Sequence, residues 1–287
     1  MYKFKSIKNN PNLDHLAEIS GDIVYSNAGG KPITMRVITP WKNDANRDCR
    51  YPLILFIQGS GWTFPNINYE IPQLSWYARR GYVVATVTHR NSNDGFPFPA
   101  FLQDVKCALR YLRAHAEDFR IDPARVTAFG TSSGGNTALL LGLTGDDPAY
   151  KTEEYAEESD AVSAVVECFG PTDMIALWDY YSGGDRSKMF LTSLLGDVPE
   201  AAEKAAREMS PICRVQNGVN YPPFLMLHGN ADPVVPYETQ AVPMAECLDR
   251  AGADVSLVCI ENAEHEGTFW SDELHGIILD FIDRHMK

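Results

Sequence analysis

The sequence lacks several features that would place it in particular classes of protein. It has no apolar N-terminal segment of the signal-peptide type, and no apolar run approaches the length of a membrane span. It has no Lys/Arg cluster of the kind that binds nucleic acid, and its formal net charge is −13. We therefore expect no nucleic-acid partner and no membrane span. We expect a cytoplasmic protein, or a secreted one from which a leader has been removed.

The cysteines are scattered along the chain. The C-x-x-C spacing that is typical of redox and zinc sites does not occur among the six cysteines. Several lie in apolar stretches, as Cys168 does in the run 164–169. This pattern favours free buried thiols in a reducing compartment over disulfides or a metal site. We expect no metal and no cofactor.

Repeats, low-complexity tracts and linker-like stretches are also missing, so nothing marks a domain boundary. Hydrophobic residues make up 45% of the chain and charged residues 22%, as in ordinary globular proteins. The chain can therefore bury a sizeable core, and we interpret residues 1–287 as one domain.

Short apolar runs rich in β-formers alternate with longer helical patterns. This alternation predicts an α/β fold whose mostly parallel sheet, of about eight strands, carries helices on both faces. Two more polar segments, 21–25 and 33–39, flank Gly29-Gly30 and predict an antiparallel hairpin at the sheet edge. The apolar runs are 53–57, 82–87, 126–129, 162–168, 224–227 and 255–260.

Three helices and one insertion follow from the spacing of apolar residues. Helices are predicted over 98–117, 238–251 and 271–285, the last with Ser271 as its cap. Segment 171–222 has helical pieces but no strand pattern, and we interpret it as a small lid inserted between two strands. The apolar face of the first helix comprises Phe101, Val105, Leu109 and Leu112.

A G-x-S-x-G motif, Gly130-Thr131-Ser132-Ser133-Gly134, follows one apolar run and precedes the helical run 136–143. A strand before and a helix after are the context in which this motif presents a serine nucleophile on a strained turn. The helix start also directs backbone N–H groups at the site, so the Ser133 N–H is a candidate oxyanion donor. The alternative is a glycine-rich turn with no chemical role.

A serine nucleophile needs a histidine base, and the histidine needs an acid that fixes its tautomer. His265 lies in the loop after the last predicted strand, where a base is expected when the chain order is serine, acid, histidine. His89 and His228, at the ends of other strands, are alternatives. Asp232, in the loop leaving run 224–227, is the first choice of acid, and Asp173 is the second. A turn aspartate and a solvated loop histidine remain the plain interpretations.

The loop Gln58-Gly59-Ser60-Gly61-Trp62 follows the apolar run 53–57. Its glycines allow the backbone to approach a bound substrate, and the corresponding loop of this architecture supplies oxyanion N–H groups. Ser60 and Gly61 are the candidates, and a simple strand-exit turn is the alternative.

These motifs together resemble the α/β-hydrolases of the acetyl-esterase and hormone-sensitive-lipase-like branch, which includes carbohydrate esterases. The likeness extends from the strand before Gln58 to His265 and includes His89-Arg90, Phe98-Pro99 and Asp104. The loop departs from the His-Gly-Gly-Gly-Trp of that branch at Gln58 and Ser60. The resemblance implies a serine esterase that cleaves small acyl esters through an acyl-enzyme. Its substrates would be small molecules or oligosaccharides, including acetylated xylan and acetylated or feruloylated plant carbohydrates.

Aromatic residues near the motifs are candidates for substrate binding. Trp62 adjoins the oxyanion loop, Tyr180 lies in the predicted lid, and Trp270 follows His265. Such rings can stack on sugars or aryl groups, although packing in the core or lid is the alternative.

Two other functions are compatible with the same fold. A serine peptidase of the prolyl-oligopeptidase type has the same order of catalytic residues but normally carries a large N-terminal propeller. A non-catalytic binding protein would usually have lost one residue of the triad. The sequence leaves the oligomeric state open.

Overall fold

The computed structural model describes residues 2–44 and 46–287, and a nine-stranded sheet lies at the centre of that part of the chain. In chain order the strands are β1 (Ala17–Ile19), β2 (Ile23–Ser26), β3 (Ile33–Pro40), β4 (Tyr51–Ile57), β5 (Val83–Val87), β6 (Ile121–Thr131), β7 (Ala164–Cys168), β8 (Phe224–Gly229) and β9 (Val255–Ile260). They are ordered β1-β3-β5-β4-β6-β7-β8-β9, with β2 also pairing β3.

The strands β4 to β9 pair in parallel, whereas β1, β2 and β3 pair antiparallel. The predicted mostly parallel sheet and its edge hairpin are therefore confirmed. The additional strand is the three-residue β1, which is too short to leave a pattern in the sequence.

Helices cover both faces of the sheet. They are α1 (Ile71–Ala78), α2 (Ala100–Ala114), α3 (Ser133–Leu143), α4 (Met174–Ser182), α5 (Thr192–Leu195), α6 (Pro199–Met209), α7 (Ala241–Arg250) and α8 (Asp272–Met286). One core cluster joins the sheet to α1 and α8, and the other joins it to α2, α3 and α7. The three predicted helices correspond to α2, α7 and α8. Ser271 caps α8, since its Oγ accepts the Leu274 N–H at 3.1 Å.

The segment 171–222 lies between β7 and β8 and contains α4, α5 and α6, with no strand among its residues. Its apolar side chains pack into the core that covers the α2 and α3 face of the sheet. The helical content matches the expectation, while the action of this segment as a lid stays a prediction.

All six cysteines are free thiols, but fewer of them are buried than the sequence predicted. Cys107 and Cys168 are buried, whereas Cys49, Cys213 and Cys259 are exposed. Cys259 lies on β9, an edge strand whose residues are partly covered or exposed and none of which is fully buried. In the described part of the chain, no helix combines the length and apolar character needed to cross a bilayer.

Helix α2 buries charged residues as well as the predicted apolar face. Lys106 Nζ lies 2.6 Å from Asp160 Oδ1, and an Arg110 guanidinium nitrogen lies 2.9 Å from Asp160 Oδ2. All three side chains are fully buried. Burial lowers the pKa of Lys106, while Asp160 acts in the opposite direction. One carboxylate therefore holds two buried cations and ties α2 to the loop before β7.

We expect Asp160→Asn to lower the free energy of unfolding by about 3 to 5 kcal/mol, because it leaves two buried cations without a counter-charge. Urea unfolding at pH 7 measures the loss. Glu246→Gln is the control, since it removes an acid from the exposed Glu246–Arg250 pair of α7 and should change stability by at most about 0.5 kcal/mol. Equal effects of the two substitutions would contradict the structural role of the buried cluster.

Candidate active site

Ser132 lies on the tight turn between β6 and α3. Its backbone angles, φ 53° and ψ −123°, are unusual for a residue with a side chain. A Cβ on Gly130 would overlap the Gly134 carbonyl, and one on Gly134 would overlap the Ile57 carbonyl. The Ser132 N–H donates to Cys168 O at 2.9 Å. The turn therefore requires both glycines and is fixed to the neighbouring strand β7.

The structure brings Ser132, His265 and Asp232 into one chain of hydrogen bonds. His265 Nε2 lies 2.9 Å from Ser132 Oγ, and His265 Nδ1 lies 2.7 Å from Asp232 Oδ2. Because a carboxylate only accepts hydrogen bonds, Nδ1 carries the proton and Nε2 is free to accept from the serine hydroxyl. This arrangement can remove a proton from Ser132 during nucleophilic attack.

The acid is held by its own loop. Asp232 is buried, and its Oδ1 accepts the Val234 and Val235 N–H groups at 2.8 and 2.9 Å. Burial acts to raise the pKa of Asp232, but hydrogen bonds from His228, His265 and the Val235 N–H outweigh it. The pKa therefore lies well below its ordinary value. Asp232 is an anion at neutral pH.

Two further residues contact His265 and Asp232: Phe169, which the sequence did not indicate, and His228, which it indicated only as an alternative base. The ring of Phe169 meets His265 edge-on, with 4.8 Å between the ring centroids. His228, which the sequence allowed as a base, lies behind the acid, with Nε2 2.7 Å from Val235 O and 3.4 Å from Asp232 Oδ2. In the sequence, the position of His228 at the end of the strand before the Asp232 loop was the feature that could have indicated this contact. Nothing in the sequence around Phe169 marks its contact with His265.

Asp173 and His89, which the sequence also allowed as acid and base, lie in different surroundings. Asp173 caps α4, since its Oδ1 accepts the Ile175 and Ala176 N–H groups at 2.9 and 3.0 Å. His89 is buried, its Nδ1 lies 2.9 Å from Arg90 O, and burial lowers its pKa to about 4. Helix capping therefore accounts for Asp173, and a buried contact with the backbone accounts for His89.

The loop 58–62 lies beside the serine turn and is bonded to it. The Gly59 N–H donates to Thr131 Oγ1 at 2.9 Å, and the Ser60 N–H donates to Ser133 Oγ at 2.8 Å. Of the three predicted oxyanion donors, the Ser60 N–H is therefore already hydrogen-bonded to the side chain of Ser133. Within residues 2–44 and 46–287, the N–H groups of Gly61 and Ser133 have no acceptor. Both residues line the same cavity as Ser132, so their N–H groups are available as donors there.

A cavity of about 220 Å³ opens beside Ser132 and is bounded mainly by apolar groups. Its walls include Gly61, Trp62, Leu177, Tyr181 and Phe190. Trp62 is buried and packs against Phe101, so it forms a fixed wall. Tyr181 stacks on Phe190 at 5.2 Å, and its hydroxyl donates to Val234 O at 2.8 Å. The helical segment 171–222 thus forms one side of this cavity.

The three aromatic residues predicted to bind substrate lie in different places. Trp62 lines the cavity beside Ser132. Tyr180 is half exposed, and its hydroxyl donates to Pro233 O at 3.1 Å in the acid loop. Trp270 lines a second cavity, together with Glu266 and Gly267 of the loop after His265. The sequence placed all three near the motifs but could not distinguish these surroundings.

A buried carboxyl lies beneath the serine turn. Glu167, on β7, is fully buried, and its Oε1 accepts the Gly170 N–H. Its Oε2 has no hydrogen-bond partner among the described residues. Burial raises the pKa of Glu167 to about 8, although the Gly170 N–H acts in the opposite direction. The side chain is therefore mainly protonated at neutral pH.

We expect Glu167 to make the protein less stable as the pH rises from about 5 to 8. The unfolded chain loses this proton near the ordinary pKa of 4.5, whereas the folded chain keeps it up to about 8. The stabilisation that the protonated side chain gives is therefore complete below pH 4.5, and it is lost as the pH rises to about 8. Across this window, wild type should lose on the order of 3 kcal/mol of unfolding free energy relative to Glu167→Gln, which cannot ionise.

Urea unfolding at a series of pH values measures this difference. Glu153→Gln is the control, because Glu153 is exposed and its loss should leave the pH profile of the wild type unchanged. Parallel profiles for wild type and Glu167→Gln would contradict a raised pKa at this position.

Comparisons with known proteins agree with this architecture. A family model described as BD-FAE matches residues 41–248, which is more than half of the chain. The chain is 31% identical over 191 residues to esterase LipC of Mycobacterium tuberculosis, covering 65% of this chain and 46% of LipC. It is 28% identical over 267 residues to esterase LipQ of the same organism, covering 89% and 58%. The chain spans about half the length of these curated relatives.

Among solved structures, the chain is similar to a truncated form of a carbohydrate esterase from gut microbiota. The TM-score is 0.79 at 25% identity, with 95% of this chain and 98% of that chain covered. The similarity thus extends over nearly the full length of both chains. The chain belongs to the BD-FAE family and has the α/β-hydrolase fold of these esterases.

Proposed function

We propose that this protein is a serine carboxylic-ester hydrolase that acts on small acyl esters through an acyl-enzyme. The observation that carries the proposal is the continuous hydrogen-bonded chain from Ser132 through His265 to Asp232, at 2.9 and 2.7 Å. Hydrogen-bond contact between nucleophile, base and orienting acid is the arrangement that serine hydrolases use on several unrelated folds.

In the first half of the reaction, Ser132 Oγ attacks the ester carbonyl carbon while His265 Nε2 takes the hydroxyl proton. The developing oxyanion accepts the Gly61 and Ser133 N–H groups, at the positive end of α3. The carbon–oxygen bond to the alcohol then breaks, and His265 returns its proton to the leaving alkoxide. An acyl group remains on Ser132.

In the second half, a water molecule replaces the alcohol. His265 takes a proton from the water as its oxygen attacks the acyl carbon, and the same N–H groups hold the new oxyanion. The bond to Ser132 Oγ breaks, the proton returns to the serine, and the carboxylic acid leaves. Asp232 stays ionised throughout and stabilises the imidazolium that forms in each half.

The size and character of the cavity beside Ser132 support a small acyl group. A volume of about 220 Å³ with mainly apolar walls, among them Trp62 and the Tyr181–Phe190 stack, suits a short acyl chain such as acetyl. The similarity to a carbohydrate esterase favours an acetylated sugar as the substrate, with acetylated xylan and other plant carbohydrates as the first choices. Feruloyl esters are the related alternative.

We expect Ser132→Ala to lower kcat/KM for p-nitrophenyl acetate by about four to six orders of magnitude, because it removes the nucleophile. Asp232→Asn should lower it by about three to four orders, since an amide favours the wrong tautomer of His265. A fluorophosphonate probe should label wild type on Ser132 and leave Ser132→Ala unlabelled.

The matched control for the acid is Asp173→Asn. Asp173 caps α4, so its loss should cost about 1 kcal/mol of stability or less and leave kcat/KM within a few-fold. A large loss of activity in Asp173→Asn, with Asp232→Asn nearly unaffected, would assign the acid to Asp173. An unlabelled wild type would instead favour a binding protein on the same fold.

We expect Leu177→Ala to shift the acyl preference towards longer chains, because the removed side chain bounds the cavity. The ratio of kcat/KM for p-nitrophenyl octanoate to that for the acetate should rise about tenfold or more. Leu194→Ala is the control, since Leu194 is equally buried in segment 171–222 but is not among the residues that line the cavity. An unchanged ratio in Leu177→Ala would show that the acyl chain lies elsewhere. Acetylated xylan and feruloyl esters, added to the same screen, distinguish the proposed substrates.

A further inference from the structure

A second cavity, of about 250 Å³, shares no lining residue with the apolar cavity beside Ser132. It is enclosed by α1, the start of α8 and the loop after His265, on the sheet face that α2 and α3 do not cover. Glu266 and Gly267, which directly follow the base, form part of its wall. Ser132 and Asp232 are not among its lining residues, so the hydrolytic mechanism does not explain it.

Glu70 is the unexplained group in this cavity. Its side chain lines the cavity although the residue is only 7% exposed, and Oε2 has no hydrogen-bond partner among the described residues. Glu70 precedes the first residue of α1, but its side chain makes no capping hydrogen bond to the helix. A buried carboxyl without a partner costs free energy that a bound ligand can recover.

The charges around Glu70 are of one sign. Glu266 lines the same cavity and, after burial, is the second cause that raises the pKa of Glu70 to about 8. No Lys or Arg is present among the described residues that line the cavity. His275 adds no positive charge at neutral pH, because burial lowers its pKa, and its Nδ1 lies 3.0 Å from the Tyr77 hydroxyl. The cavity therefore has two carboxyls and no cation.

The rest of the wall is largely aromatic. Tyr69, Tyr77 and Trp270 line the cavity together with two phenylalanines from the sheet, Phe56 and Phe129. Aromatic faces attract cations through their quadrupoles, and carboxylates attract them directly. A neutral sugar would satisfy hydrogen bonds here, but it would bring no positive charge to pair with the carboxyls.

We propose that this cavity is a binding site for a small organic ammonium ion, with Glu70 as its principal partner and Glu266 and Trp270 beside it. The site goes beyond the proposed ester hydrolysis and does not depend on it. Because the cavity wall continues into the histidine loop, a ligand bound here contacts the residues that immediately follow His265.

Isothermal titration of the Ser132→Ala protein tests the proposal without any hydrolysis. Choline and its neutral isostere 3,3-dimethyl-1-butanol have the same shape and differ in charge. We expect choline to bind about tenfold more tightly or better, which corresponds to about 1.4 kcal/mol. Glu70→Gln should abolish this preference. The control Glu273→Gln removes an exposed acid from the first turn of α8 and should leave it unchanged.

Choline binding should also release a proton at pH 7. Glu70 is mainly protonated in the free protein, and a bound cation favours its ionised form. Titrations in buffers of different ionisation enthalpy should therefore show release of up to about one proton, and affinity should rise between pH 6 and pH 9. Glu70→Gln should release none.

Equal affinity for choline and the isostere, or an unchanged choline affinity in Glu70→Gln, would overturn the proposal. Tighter binding of methyl β-xyloside than of choline would also overturn it, in favour of a site for a neutral sugar. If Glu70→Gln does not fold, Glu266→Gln replaces it, and the proposal then requires a loss of several-fold in choline affinity. None of these outcomes depends on whether Ser132 cleaves esters.

Discussion

The strained turn at Ser132 is the constraint on which the rest of the site depends. The serine hydroxyl reaches His265 because β6 ends and α3 begins within one residue. That junction requires glycine at 130 and 134, where a Cβ would overlap the Gly134 and Ile57 carbonyls. The hydrogen bond from the Ser132 N–H to β7 fixes the turn to the sheet. The loop 58–62, in turn, is bonded to Thr131 and Ser133, the two neighbours of the serine. The proposed oxyanion donors and the proposed nucleophile therefore share one rigid support.

Much of this arrangement could be predicted from the sequence, for a physical reason. Alternating β-rich and helical patterns imply parallel strands, and parallel strands bring their carboxyl ends to one edge of the sheet. Loops that are far apart in the chain, such as those of Asp232 and His265, must then meet at that edge. The order of the motifs therefore indicated which side chains would be neighbours before any distance was known.

What the sequence did not reveal depends on side-chain pairing across long separations. Lys106 and Arg110 belong to a helix whose apolar stripe was evident, yet both are buried because Asp160 reaches them from a distant loop. Likewise, the Ser60 N–H bonds to the Ser133 hydroxyl, a contact that neither motif implies on its own. Trp270 follows the histidine closely in sequence but faces another cavity, since the loop turns between them at Glu266, whose φ is 62°. Local patterns carry no information on such partners.

The hydroxyls of Tyr180 and Tyr181 donate to the backbone carbonyls of Pro233 and Val234, directly after the acid. These hydrogen bonds hold segment 171–222, which forms one side of the cavity, against the loop that carries Asp232. A chimera that takes residues 171–222 from a relative would bring new side chains against an unmatched acid loop. Exchange of substrate-shaping segments between relatives is then expected to succeed only when residues 230–236 are transferred with them, so that specificity and catalytic geometry are inherited together.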